Sequence, residues 1–422
     1  MRKNIFKQEN QESLAAKPPS LKIQNRKMVM NVLRDGSPYS IVEISERTGV
    51  SRQTVSKAIN HFSELGLVIN TGKGDSTGNG GKKPNLLQLS SQPKLLVIQF
   101  RVNENRVILY DLTCQEISYS VIETNLSDPF DFYYYLEKIK QMSEQIFAQT
   151  NISAEDLYGV AVITPGPVID HAFVHYNPFR KQWGLDIPIK EEVQKIFPTA
   201  KFVFVENIGK LAGLGTITEH AETYQSQRVV TVYTYEGING CFFDHGKIVE
   251  GANSIIGEFG HMILQPDSPT QCICGNRGCF ESVVRSSSIH ERIQKSSDIN
   301  DFLKFVGKPL SEIIFEDIVK GYEAGIRCCQ DELITLAAYF AQAFLNISLV
   351  YDPDIFVIEG YYSCFNKAFE SLIQEYLSGF SLLTPDRYFN IAADHIPLEQ
   401  LEVSGAITAL KEHFFSDQTI YS

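Results

Sequence analysis

Residues 257–281 read G-E-F-G-H-M-I-L-Q-P-D-S-P-T-Q-C-I-C-G-N-R-G-C-F-E, which places His261, Cys272, Cys274 and Cys279 close together in the chain. Three thiolates and one imidazole complete the tetrahedral shell of Zn2+ and leave no open position for a catalytic water. Such a site is structural: it ties down a loop that lacks enough core to hold its own shape. The C-x-C spacing is tighter than the C-x-x-C of zinc fingers, so spacing alone also admits buried free thiols or a redox pair. The five remaining cysteines, Cys114, Cys241, Cys328, Cys329 and Cys364, show no such clustering and read as core or surface residues.

Around this stretch the chain alternates strands and helices. Lys94 to Phe100 and Arg106 to Asp111 read as adjacent strands joined by the turn 103–105, followed by a helix at about 131–150. Further strands are expected at 158–163, 201–205, 229–235, 241–243 and 355–358, with helices at 207–216 and 331–351. This pattern indicates α/β architecture, in which binding residues fall at strand ends. Pro165-Gly166, Glu206-Asn207 and Gly237 occupy such ends. The uncharged run Leu333 to Tyr351 includes Thr335, Gln342, Asn346 and Ser348, and reads as a buried helix, not a membrane span.

The 422 residues carry a formal charge of −12 that is unevenly divided. Residues 1–85 hold 14 Lys and Arg against 7 Asp and Glu, and the remainder 24 against 43. A basic head on an acidic body suggests that only the head meets a polyanion. With 43% hydrophobic residues the chain can bury cores in several domains, so wholesale disorder is excluded. The first residues, MRKNIFKQENQESLAAKPPSLK, lack an apolar run long enough for a secretory signal. Cysteine usage argues against a disulfide scaffold, and the expected location is the cytoplasm, with no membrane contact.

The head reads as a winged helix-turn-helix. Met28, Val29, Val32 and Leu33 share one face of a first helix that Gly36-Ser37-Pro38 ends. A capping box, Ser40-Ile-Val-Glu43, opens a second helix, and Gly49 ends it in a tight turn. Ser51 caps a third helix running to about Leu65, with Val55, Ile59, Phe62 and Leu65 inward. Its opposite face holds Arg52, Gln53, Thr54, Ser56 and Lys57, which with Ser51 suit a recognition helix entering the major groove. The strand 67–69, a glycine-rich loop bearing Lys73, Lys82 and Lys83, and a return strand 86–89 read as a wing along the DNA backbone. The glycines lack phosphate-loop spacing, and no helix opens after them. Such a module could instead contact protein only. The expected divisions are a flexible arm at 1–22, the winged helix at 23–90 and the body at 91–422.

The strings G-E-F-G-H-M and C-I-C-G-N-R-G-C-F-E, with T-P-G-P-V at 164–168, N-P-F-R-K-Q-W-G-L-D-I-P at 177–188, V-E-N at 205–207 and G-A-N-S-I-I-G-E at 251–258, resemble the signature of the ROK family of repressors, open reading frames and kinases. From about residue 25 the chain looks like that family's sugar-responsive transcriptional regulators. The resemblance implies a two-lobed actin/hexokinase-like body, structural zinc on His261, Cys272, Cys274 and Cys279, a small-molecule sugar effector, operator DNA as partner, and a homodimer or higher even oligomer. It further implies that Asn207, Glu258, His261 and Glu281 hydrogen-bond sugar hydroxyls, bordered by Gly166 and Asn177. His261 would hold zinc with one ring nitrogen and face the sugar with the other.

The alternative is a ROK-type sugar kinase using ATP. Kinases of the family carry a proton-accepting carboxylate after the V-E-N asparagine, where this chain has Ile208. Their first phosphate loop, Asp-x-Gly-Gly-Thr, aligns with Gln99-Phe-Arg-Val-Asn103, which contains no glycine. A second phosphate turn has become Tyr235-Glu-Gly-Ile-Asn-Gly240, with Glu236 where phosphate would lie, and the adenosine-side Gly-Gly reads Glu359-Gly360. The expectation is a repressor of carbohydrate-utilisation genes without kinase activity.

Overall fold

The computed structural model describes residues 20–74, 83–235, 237–380 and 390–422. Two compact units divide the chain between Gln92 and Pro93, and Phe415–Ser422 groups with the first unit. The expected arm and body limits therefore shift at both ends. Ser20 caps a helix that already includes Leu21 and Lys22, and the last eight residues leave the body for the head.

The first unit packs α1 (Leu21–Leu33), α2 (Ile41–Thr48) and α3 (Arg52–Glu64) against the hairpin β1 (Val68–Lys73) and β2 (Asn85–Leu89). The capping box forms as the residue types require: Ser40 N donates to Glu43 at 2.7 Å, and Glu43 N donates to the Ser40 hydroxyl at 3.3 Å. Gly49 ends α2 at φ +70, a left-handed turn that a side chain would strain. Val29, Leu33, Ile44, Val55 and Phe62 are buried as their helical spacing demands, whereas Met28 and Leu65, expected on the same faces, are exposed. The spacing does not announce the contribution of residues 415–422. Tyr421 is 1% exposed and stands edge-on to Phe62, while Arg26 Nη1 donates to the carbonyls of Tyr421 at 3.1 Å and Ser422 at 2.6 Å. His61 Nε2 lies 3.0 Å from the Ile420 carbonyl.

The second unit is built on two five-stranded sheets of identical topology. The first comprises β3 (Lys94–Phe100), β4 (Glu104–Asp111), β5 (Glu116–Glu123), β6 (Leu157–Thr164) and β10 (Phe202–Asn207), in the order β10-β6-β3-β4-β5. A small sheet of β7 (Val168–Ile169), β8 (Phe173–Tyr176) and β9 (Leu185–Ile187) lies between β6 and β10 in sequence. The second large sheet comprises β11 (Arg228–Thr234), β12 (Ile238–Asp244), β13 (Lys247–Ile248), β14 (Ile355–Gly360) and β15 (Asn390–Asp394), in the order β13-β12-β11-β14-β15. In each sheet the first strand is central, an antiparallel meander extends to one side, and later strands add in parallel on the other. The sequence reading missed β5, whose outward residues are largely exposed, and the short sheet.

Helices α4 (Phe132–Thr150) and α5 (Ile189–Ile196) pack on the first sheet, and α6 (Ile208–Glu219) and α7 (Ala221–Tyr224) lead to the second. The second core gathers α8 (Phe280–Val284), α9 (Ser286–Ile293), α10 (Ile299–Val306), α11 (Phe315–Glu323), α12 (Arg327–Tyr351) and α13 (Lys367–Ser378). A last helix, α14 (Leu398–Ser416), runs from the body into the residues grouped with the head. α12 is long and apolar enough to cross a membrane, yet Leu333, Leu336, Ala337, Phe340 and Phe344 on its inner face are completely buried in the core, as expected of a core helix.

Tyr421→Ala removes a ring buried against Phe62 and is expected to lower the stability of the head by about 3–5 kcal/mol. Thermal unfolding of the full chain would reveal an early transition; an unchanged melting profile would exclude residues 415–422 from the head core.

Candidate functional site

Strand ends from both sheets of the body converge on one cavity of about 200 Å³. This is somewhat larger than the roughly 150 Å³ void that holds a benzene ring, so it suits one substituted six-membered ring. Gly166, after β6, lines it with φ +95, and a Cβ there would lie 2.1 Å from the Tyr176 carbonyl oxygen. Asn207, at the end of β10, caps α6: its Oδ1 accepts from Gly209 N at 2.8 Å and Lys210 N at 3.3 Å. The same oxygen accepts from Asn239 Nδ2 at 3.1 Å, and Asn207 Nδ2 donates to the Gly166 carbonyl at 2.8 Å. Asn207 thus faces the cavity with its oxygen already engaged and one amide hydrogen to offer.

Glu258, His261 and Glu281 also line the cavity. Burial pushes the Glu258 carboxyl above its ordinary value, with His261 and Lys210 pulling the other way. Glu281 accepts from Ile238 N at 3.0 Å, which aims one carboxylate oxygen at the backbone. His261 Nε2 lies 4.0 Å from Glu258, whereas its Nδ1 lies 3.4 Å from Cys272 Sγ. The ring therefore bridges the cavity and the cysteine cluster. Asn177 stands apart from the cavity lining: it is buried between the lining residues Tyr176 and Pro178, and its Oδ1 accepts from Phe179 N at 3.0 Å. Its short local turn explains why it shapes the wall without forming it.

The donor atoms of His261, Cys272, Cys274 and Cys279 lie within 4.8 Å of one another, with Cys274 and Cys279 sulfurs 3.6 Å apart. A tetrahedron of Zn–S bonds near 2.3 Å spaces its corners by about 3.8 Å, so the cluster fits a tetrahedral metal ion. Burial raises the Cys272 and Cys279 thiols, and a bound cation would supply the opposing charge.

Arg101 and Tyr235 line the cavity as well, a place the sequence reading did not give them. Arg101, directly after β3, donates from Nη1 to Glu402 at 2.9 Å, and its guanidinium lies 5.1 Å from the centre of the Tyr235 ring. Glu402 is completely buried and also accepts from Tyr233 at 3.1 Å. Burial pushes Glu402 up to about 7 against the pull of Arg101, and Arg101 is held above its ordinary value despite its own burial by Glu402 and the neighbouring tyrosines. Ile208, 6% exposed, lines the cavity beside Asn207. Glu359 is completely buried, hydrogen-bonded to Thr216 at 2.8 Å, and burial raises it far above the carboxylate range.

In the head, Ser51 accepts from Thr54 N at 3.3 Å and contacts its hydroxyl at 3.0 Å, so this pair caps α3. Arg52, Gln53 and Lys57 are exposed, Thr54 and Ser56 half-buried, and Lys73 and Lys83 exposed on the hairpin. Lys82 and Glu236 lie outside the described residues.

A model of the ROK family matches residues 129–393, and a model of winged helix-turn-helix DNA-binding domains matches residues 24–69. The chain belongs to the ROK family. Among ROK relatives, the xylose repressor of Bacillus subtilis is 26% identical over 274 residues, covering 64% of this chain and 68% of the repressor. The glucokinase of Halalkalibacterium halodurans is 24% identical over 275 residues, covering 62% of this chain and 75% of the enzyme. The crystal structure of a ROK family transcriptional regulator, a homologue of the E. coli MLC protein, superposes with a TM-score of 0.73 at 18% identity, covering 95% of this chain and 99% of that one. The ROK family thus includes both repressors and kinases, and this chain joins a ROK body to a winged-helix head.

Gly166→Ala should destabilise the ROK body by more than the about 1–2 kcal/mol expected of Gly307→Ala, which has left-handed strain but open space around its Cβ. Equal melting shifts for the two variants would show that the Tyr176 carbonyl yields freely.

Proposed function

We propose that this chain is a sugar-responsive, DNA-binding transcriptional repressor of carbohydrate-utilisation genes that works in the cytoplasm as a homodimer and lacks kinase activity. One observation carries the reading: a winged-helix head accompanies a monosaccharide-sized cavity in which Ile208 stands beside the hydroxyl-binding set. An isoleucine accepts no proton, so the position that carries the proton acceptor in kinases of the family offers none here. The Arg101–Tyr235 stack occupies both segments that correspond to kinase phosphate loops, and an arginine side chain replaces the backbone cradle that phosphates need.

In this reading Glu258, His261, Glu281 and the free amide hydrogen of Asn207 hold the sugar, with Gly166 letting the ring approach the backbone. A zinc ion on His261, Cys272, Cys274 and Cys279 would stiffen the loop that presents His261, and would supply only structure. The sugar must bind one arrangement of the protein better than another, and that difference sets the coupling to DNA. Closure of the cleft over Glu258 and His261 is the proposed moving part. Arg52, Gln53, Ser56 and Lys57 meet base edges and phosphates, Ser51 and Thr54 shape the start of the recognition helix, and Lys73, Lys82 and Lys83 follow the backbone. A two-fold dimer matches a palindromic operator.

Operator affinity is expected to fall steeply with salt. Arg52→Ala should cost about 1–3 kcal/mol, and Lys57→Ala should reduce the salt slope by about one. Glu281→Ala should blunt release by sugar while DNA binding persists. Salt-independent binding would favour a protein-contacting head, and turnover of any sugar with ATP and magnesium in a coupled assay would overturn the reading.

Metal analysis of the purified chain should find about one zinc per protomer. Cys279→Ser should lose it and lower the melting temperature; a metal-free wild type with the same melting temperature after chelation would sink the structural-zinc assignment.

A further inference from the structure

The cavity contains two guanidinium groups that a neutral sugar does not require. Carboxylates, an amide and an imidazole already meet the needs of hydroxyls. Arg101 nevertheless lines the same cavity, only 8% of its side chain exposed, and Arg285, between α8 and α9, lines it as an exposed cation. Among the described residues no carboxylate pairs with Arg285. Arg101 spends Nη1 on Glu402, but a guanidinium has five N–H donors in a planar fork. Glu402 at 2.9 Å and Glu399 at 3.8 Å already offset the charge of the buried Arg101, yet the fork of either guanidinium can still match carboxylate or phosphate oxygens in pairs.

We propose that the effector is an anionic carbohydrate, a sugar phosphate or a sugar acid, whose negative group is held by Arg285 and by the donors of Arg101 that Glu402 does not occupy. This rests on the assignment of the cavity as the sugar site and adds the chemical class of its ligand. Glu258, His261 and Glu281 bind the hydroxyls, and the two arginines discriminate against the neutral parent sugar. The arriving anion shares Arg101 with Glu402, a residue of α14, so ligand binding loosens the tie between the end of β3 and that helix. Glu402 is then left with Gln99 and Tyr233 as its hydrogen-bond partners.

The test uses the full-length chain and titrates it by calorimetry with glucose and xylose, with glucose phosphate esters, with glucuronate, and with inorganic phosphate alone. Charged sugars are expected to bind at least about tenfold more tightly than their neutral parents, and Arg285→Gln should remove most of that advantage. Arg101→Gln alone would leave Glu402 buried and unpaired, so the double variant Arg101→Gln with Glu402→Gln removes both charges and should abolish the preference in a folded protein. Preference for the phosphate ester or for glucuronate identifies the source of the anion. Equal binding of neutral and charged sugars, unaffected by Arg285→Gln, overturns the inference and leaves the sugar site standing. Binding of inorganic phosphate as tight as that of any sugar overturns it as a general anion effect. Binding of no sugar at all overturns both this inference and the sugar-site assignment.

Discussion

The body depends on the hydrogen-bond knot at Asn207. Its side-chain oxygen satisfies two backbone N–H groups at the start of α6 and also accepts from Asn239 on β12, while its nitrogen reaches the Gly166 carbonyl after β6. One 3%-exposed amide therefore joins a loop of the first sheet, the helix leading to the second, and a strand of the second. Leaving any of these partners buried and unpaired would cost about 1–3 kcal/mol. The cavity forms where the strand ends are drawn together, and the close approach at Gly166 excludes any side chain there.

Around this knot the cavity lining combines different chemistries. His261 turns one nitrogen to Glu258 and the other to Cys272, so the orientation of a cavity-facing imidazole is governed by a cluster outside the cavity. Elsewhere in the lining the Arg101 guanidinium stands over the Tyr235 ring, and Ile208 follows Asn207.

The head follows a different logic. Its three helices and hairpin satisfy most of their local needs themselves: Ser40 with Glu43, Gly49 at a left-handed turn, and Ser51 with Thr54. Its core is nevertheless closed by Ile420 and Tyr421, residues that follow α14. In the body, α14 also carries Glu402, the partner of Arg101 at the cavity.

By itself the sequence determined what depends on neighbours within a few residues. The caps of α2 and α3, the period of the recognition helix and the strand–helix alternation all follow from local backbone needs and side-chain spacing. The His261, Cys272, Cys274 and Cys279 set was legible for the same reason, since its members share one loop. Only the tertiary structure decided that Arg101 meets Glu402 across 301 positions, that Arg26 holds Tyr421 across 395, that Asn207 is spent on Asn239 and Gly166, and that Asn177 supports the wall without lining it. Such pairings leave no periodic trace in the chain. They exist because closing two sheets over one cavity, and one helix bundle over one tail, strands buried polar groups and rings that must find partners wherever the fold has brought them.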